Sequence, residues 1–200
     1  MYKAIVSTCI VLIIILSLVL YKNLTIPEVV YGERKMSEIQ EQTSKEISLI
    51  EDEKLNKITL NEMISRYSRP ESAVEYLFAI SMLEDVNLFP DAFTVEQFSQ
   101  DVSLIDEPDK DKIVLDLMKT LTQNGDLDKI IIDNTMWTTD KNSVRLLVDL
   151  YYKKKKAPVR VNIKVKKVEM LNSENGNILS SYFYIDSSVK EIVTRINKEI

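Results

Sequence analysis

From residue 144 to 165 apolar and polar side chains alternate through two runs. Val144, Leu146, Val148, Leu150 and Tyr152 form the first; Val159, Val161, Ile163 and Val165 form the second. Only a strand sends every second side chain to the same face, so this stretch has to be two neighbouring strands with one dry face and one wet one. Arg160, Asn162, Lys164 and Lys166 then sit on the wet side of the second strand. A strand-like segment at 129–138 precedes them and another at 178–185 comes after. Polar turn segments at 140–142, 153–158 and 172–177 separate the four, which predicts an antiparallel meander.

Ahead of the meander the apolar period is 3.6. Ala73, Val74, Leu77, Phe78, Ile80, Met82 and Leu83 predict a helix over 69–86, with Pro70 in its first turn, where a missing N–H costs nothing. Phe93, Val95 and Phe98 predict a short helix over 94–101. A third runs from about Pro108 through Ile113, Val114, Leu117, Met118 and Leu121, and ends at the left-handed signal Asn124-Gly125. Capping boxes are expected at Thr59 with Glu62, Ser68 with Glu71, and Thr94 with Gln97. Val189, Ile192, Val193 and Ile196 predict a last helix in the tail. Helices first and a meander after them make an α+β domain over 67–200. Before it, a sparse stripe of Ile39, Ile47, Ile50 and Leu55 predicts a helical stalk over 37–66, and Pro27 and Gly32 mark a tether over 22–36.

Residues 4–20 hold no charge. At 1.5 Å per residue a helix of that length spans about 26 Å, a little short of the ~30 Å hydrocarbon core. Tyr2 and Tyr21 bracket it at interface depth, and Lys3 and Lys22 can snorkel. A cleaved signal peptide would need a shorter apolar stretch and a small-x-small exit, and Leu20-Tyr21-Lys22-Asn23 offers none. The expectation over 1–21 is therefore an uncleaved signal anchor, with the domain outside the cytoplasm.

Composition removes whole classes of chemistry. The chain has no His, one Cys and three Gly, which excludes His-based triads and metal sites, disulfide frameworks and glycine phosphate loops. The acids around Asp106, Glu107, Asp109 and Asp111 precede a helix, where the macrodipole favours them, and lack the spacing of a calcium loop. No catalytic, cofactor or metal-binding residue is assigned, and no cofactor or enzymatic activity is expected. Tyr182, Tyr184 and Trp137 are expected to be core residues, or the lining of a pocket if one exists.

Charge is asymmetric although the net value is only −5. Residues 37–133 carry 22 acidic against 9 basic side chains, and 140–168 carry 2 against 10. Lys153, Lys154, Lys155, Lys156, Arg160, Lys164 and Lys166 thus form a basic hairpin that fits an anionic partner: lipid head groups, cell-wall polyanions or an acidic protein. The same lysines serve equally as a solvated turn that discourages edge pairing. Nucleic acid is disfavoured, because Tyr151 and Tyr152 would have to present open stacking faces.

The run Arg69-Pro70-Glu71-Ser72-Ala73-Val74-Glu75-Tyr76-Leu77 resembles the first helix of many bacterial NTF2-like superfamily members, and 130–168 resembles their sheet. The resemblance covers about 68–186 and implies a cone of helices on a curved sheet. With a single span in front, the arrangement is similar to VirB8-like and TcpC-like proteins of conjugation and type IV secretion machines. The Lys, Ile and Asn richness fits a Gram-positive bacterium. The resemblance implies a binding or scaffold subunit of an envelope assembly, touching the membrane, other envelope proteins and further copies of itself. A membrane-tethered sensor with a small-ligand pocket is the alternative.

Overall fold

The computed structural model describes residues 31–51, 67–103, 109–139, 142–171 and 178–199. Two units divide the chain, Met1–Val30 and Tyr31–Ile200, and every described residue belongs to the second. No helix among the described residues is long and apolar enough to cross a membrane; the expected span at 4–20 lies outside them.

Five strands form one antiparallel sheet in sequence order: β1 (Tyr31–Lys35), β2 (Leu127–Trp137), β3 (Ser143–Tyr152), β4 (Val159–Leu171) and β5 (Ile178–Ile185). The alternation works as anticipated. Val144, Leu146, Val148 and Leu150 of β3 face Val165, Ile163, Val161 and Val159 of β4 across the ladder, all buried. Irregular register between Ile132 and Asn134 in the β2–β3 ladder, and again between Met170 and Leu171 in the β4–β5 ladder, bends the strands and curls the sheet.

Helices cover one face of that sheet. They are α1 (Met36–Glu51), α2 (Pro70–Leu83), α3 (Val95–Ser103), α4 (Lys110–Thr122) and α5 (Val189–Lys198), with a 3-10 turn at Phe89–Ala92. Met36 and Ile39 of α1, Leu77, Phe78 and Ile80 of α2, Met118 and Leu121 of α4, and Ile192 and Ile196 of α5 join the sheet's inner residues in one core. The architecture is α+β, a curled antiparallel sheet with helices packed on it.

Several local expectations are corrected. Within the expected tether, residues 31–35 are a strand: β1 pairs with β2 through Arg34 opposite Ile130 and Lys35 opposite Lys129. Within the expected stalk, α1 is built into the domain, because Met36, Ile39 and Thr43 recur along one side and are buried. The remainder of both segments, with Thr59 and Glu62, lies outside the described residues. The N-cap of α2 is Arg69 in an extended conformation, one residue after the expected Ser68, with no cap from its own side chain and with Pro70 in the first turn. The Thr94 hydroxyl donates to Asp186 Oδ1 at 3.2 Å. Asp109 does cap α4, its Oδ1 accepting from Lys112 N at 3.1 Å. The left-handed ending of α4 begins at Gln123 (φ 52°), ahead of Asn124 (56°) and Gly125 (79°).

β5 pairs only with the second half of β4, from Val165 onward. The first half is closed by the turn after β5 and by α5. Asp186 N donates to Lys164 O at 2.7 Å, Ser187 Oγ accepts from Lys164 N at 2.7 Å, and α5 packs alongside, Arg195 Nε reaching Arg160 O at 3.5 Å. An edge that could recruit another chain is thereby covered.

Candidate functional site

The basic hairpin stands apart in sequence but is met by acids in space. Asp126, just past α4, accepts from Lys154 N at Oδ2 (3.1 Å) and pairs with Lys154 Nζ at 3.2 Å, while its carbonyl accepts from Lys153 N at 2.9 Å. Partial desolvation pushes the Asp126 carboxyl upward, but the Lys154 N–H groups and the charges of Lys154 and Lys153 outweigh it and hold the group below its ordinary value. Lys155 Nζ donates to Glu199 O at 3.0 Å.

On the outer face, Arg160 forms a two-pronged pair with Asp149 (Nε to Oδ1 and Nη2 to Oδ2, both 2.7 Å) and touches Asp133 at 3.2 Å. Those hydrogen bonds and the Asp149 charge raise the guanidinium further above its already high value. Lys164 pairs with Asp186 at 2.6 Å. Of the seven residues singled out in the sequence, Lys153, Lys156 and Lys166 alone form no ion pair or side-chain hydrogen bond among the described residues. Tyr152 is buried, its phenol donating to Leu121 O at 2.8 Å, and Lys129 Nζ sits 4.6 Å from the centre of the Tyr151 ring. Tyr152 therefore offers no open stacking face beside the lysines, and Lys129 occupies one face of Tyr151.

A second site has a more distinctive shape. A cleft of about 580 Å³ opens between the C-terminal half of α1, α2, the 3-10 turn and β5. Its position depends on how α2 ends. Glu84 takes a left-handed conformation (φ 55°), which swings the chain back along α2. Asp85 Oδ1 then accepts from Asn87 N (3.0 Å) and Leu88 N (3.1 Å), fixing a turn that brings Asp85 and Asp91 beside Tyr76. Burial, then the Asp91 and Asp85 charges, push the Tyr76 phenol up to about 12, so it remains a neutral donor at physiological pH.

Aromatic rings supply the rest of the wall. Tyr67 meets Tyr76 edge to face, with centroids 5.9 Å apart, and donates from its hydroxyl to Glu46 Oε2 at 2.8 Å. From β5, Tyr182, Phe183 and Tyr184 line the other side, all half-buried. Trp137 is neither in the core nor on this wall: it is 49% exposed and stacks edge-on against Phe183 at 6.0 Å. Ile47, Leu88 and Ala92 complete an apolar floor. Among the described lining residues there is no lysine or arginine.

No three His, Cys, Asp or Glu side chains among the described residues are grouped to hold a metal. No protein-family model matches the chain, and no curated protein matches it.

Sequence reasoning reached Tyr182 and Tyr184 but missed Tyr67, Tyr76, Asp85 and Asp91, which come from other segments of the chain. The run Glu84-Asp85 with Asn87 close behind is a helix-stop and turn signal that could have placed the acids next to α2.

Proposed function

We propose that this chain is a membrane-tethered binding domain, anchored by residues 4–20, that receives its ligand outside the cytoplasm in the aromatic cleft. The cleft is the observation that carries the reading. Its volume lies in the range of small-molecule sites, and it joins an apolar floor to a few converging polar groups. The curled sheet with helices on one face supports an NTF2-like cone as its architecture. The test uses the full chain in detergent and a panel of single-ring aromatic compounds of positive, neutral and negative charge, followed through their own NMR signals. Binders are expected, and they should weaken when Tyr184→Ala removes one wall. A panel without binders overturns the reading. Protease added to wall-stripped cells should digest the chain beyond residue 22; full protection would reverse the topology.

A second reading is a scaffold subunit of an envelope assembly of the conjugation, secretion or sporulation kind. Its support is the exposure of Met136, Trp137 and Val168 on β2 and β4, large apolar side chains of the kind found at protein contacts. Purification in mild detergent should then recover other membrane proteins, and the pair Met136→Ser and Trp137→Ser should lose them. A chain that purifies alone counts against this role.

A further inference from the structure

We infer that the ligand of the cleft is a small organic cation, an ammonium group carried on an apolar body. This rests on the cleft as a binding site and adds the sign of its occupant. Asp85 and Asp91 line the cleft together with Tyr76, and Asp91 makes no side-chain hydrogen bond or ion pair among the described residues. Tyr76, Tyr182 and Tyr184 line the same cleft, and the face of an aromatic ring carries the negative part of its quadrupole. An ammonium there meets carboxylate charge on one side and ring quadrupoles on the other, while its apolar body rests on Leu88 and Ala92. An anion would face the same carboxylates with no basic residue among the described lining to offset them. A neutral ligand of equal shape would fill the floor but gain no attraction from the two carboxylates.

The Tyr76 phenol stays protonated, so it can donate to Asp91 or to a ligand oxygen without adding charge to the site. The single tryptophan gives a built-in reporter. Trp137 stacks on Phe183, and Phe183 lines the cleft, so filling the cleft should alter its emission.

The experiment compares benzyltrimethylammonium with neopentylbenzene, which replaces the charged nitrogen by carbon at almost unchanged shape. Both are titrated into the full chain in dodecyl maltoside, an uncharged detergent, by equilibrium dialysis and Trp137 emission, with empty micelles subtracted. The cation should bind roughly tenfold or more tightly than its isostere, and the preference should shrink with added salt. Asp91→Asn should remove most of the preference while leaving neopentylbenzene binding unchanged. The wild-type comparison stands even if the variant misfolds. Equal binding of both compounds overturns the inferred charge and leaves the cleft as a binding site. Binding of neither, together with no binder in the aromatic panel, overturns both.

Discussion

At the scale of single residues, Asp126 ties the lysine turn to the end of α4. Its folded-state acidity lies below the ordinary value, so its contribution to stability is present above about pH 4 and is lost as pH falls through the depressed value. Asp126→Asn keeps an acceptor for Lys154 N but loses the charge. Thermal unfolding of the two proteins should therefore differ near neutral pH and converge as pH falls through the depressed value; a constant gap at all pH values would deny the charge a role. Changing Lys153, Lys154, Lys155 and Lys156 to Gln tests the hairpin as a surface. If anionic lipid is its partner, each lysine near a charged membrane contributes roughly 1 kcal/mol, and vesicle flotation should fall sharply and respond to salt. Equal flotation of both proteins would leave a solvated turn. The sequence counted these charges correctly but not their neighbours. Asp133, Asp149 and Asp186 come from three different segments, and only the folded sheet and its closing turn bring them to Arg160 and Lys164.

At the scale of elements, the least anticipated device is the start of α5. Ser188 caps it, and Asp101 at the end of α3 adds a second cap from 87 residues away: Oδ1 accepts from Ser188 Oγ at 2.7 Å and Oδ2 from Val189 N at 2.8 Å. Asp101 is 4% exposed, so Asp101→Ala leaves a buried N–H unsatisfied and should cost about 1–2 kcal/mol. Urea unfolding measures this; an unchanged midpoint would mean that water replaces the carboxylate. The strands and the central helices were legible because their apolar residues keep strict periods of 2 and 3.6. β1 was not, since Glu33, Arg34 and Lys35 carry charge and the strand exists only by pairing with β2. The cleft was half legible for a related reason. Tyr182 and Tyr184 lie in one periodic strand, whereas Tyr76 faces Asp85 and Asp91 only because Glu84 reverses the chain.

For the whole molecule, the boundary of the domain is a prediction in itself. A fragment 31–200 retains β1 and should unfold in one cooperative transition. Fragment 37–200 exposes the β2 edge, loses the Lys129 pair with Glu33 (2.8 Å) and should melt at lower temperature. Matching melts for the two fragments would mean that β1 adds nothing to the sheet.

The order β1-β2-β3-β4-β5 also has a bearing on how the chain acquires this shape. β2 to β5 join strands that succeed one another directly, so their pairing closes short loops and is kinetically cheap. β1 must wait for β2, whose first residue lies 92 positions after Lys35, and closing a loop that long is the slowest contact to nucleate. In pulsed hydrogen exchange during refolding, amides of 143–165 should gain protection before those of 31–35. Simultaneous protection would place β1 inside the folding nucleus. During synthesis, the first strand of the sheet would then be made first and paired last.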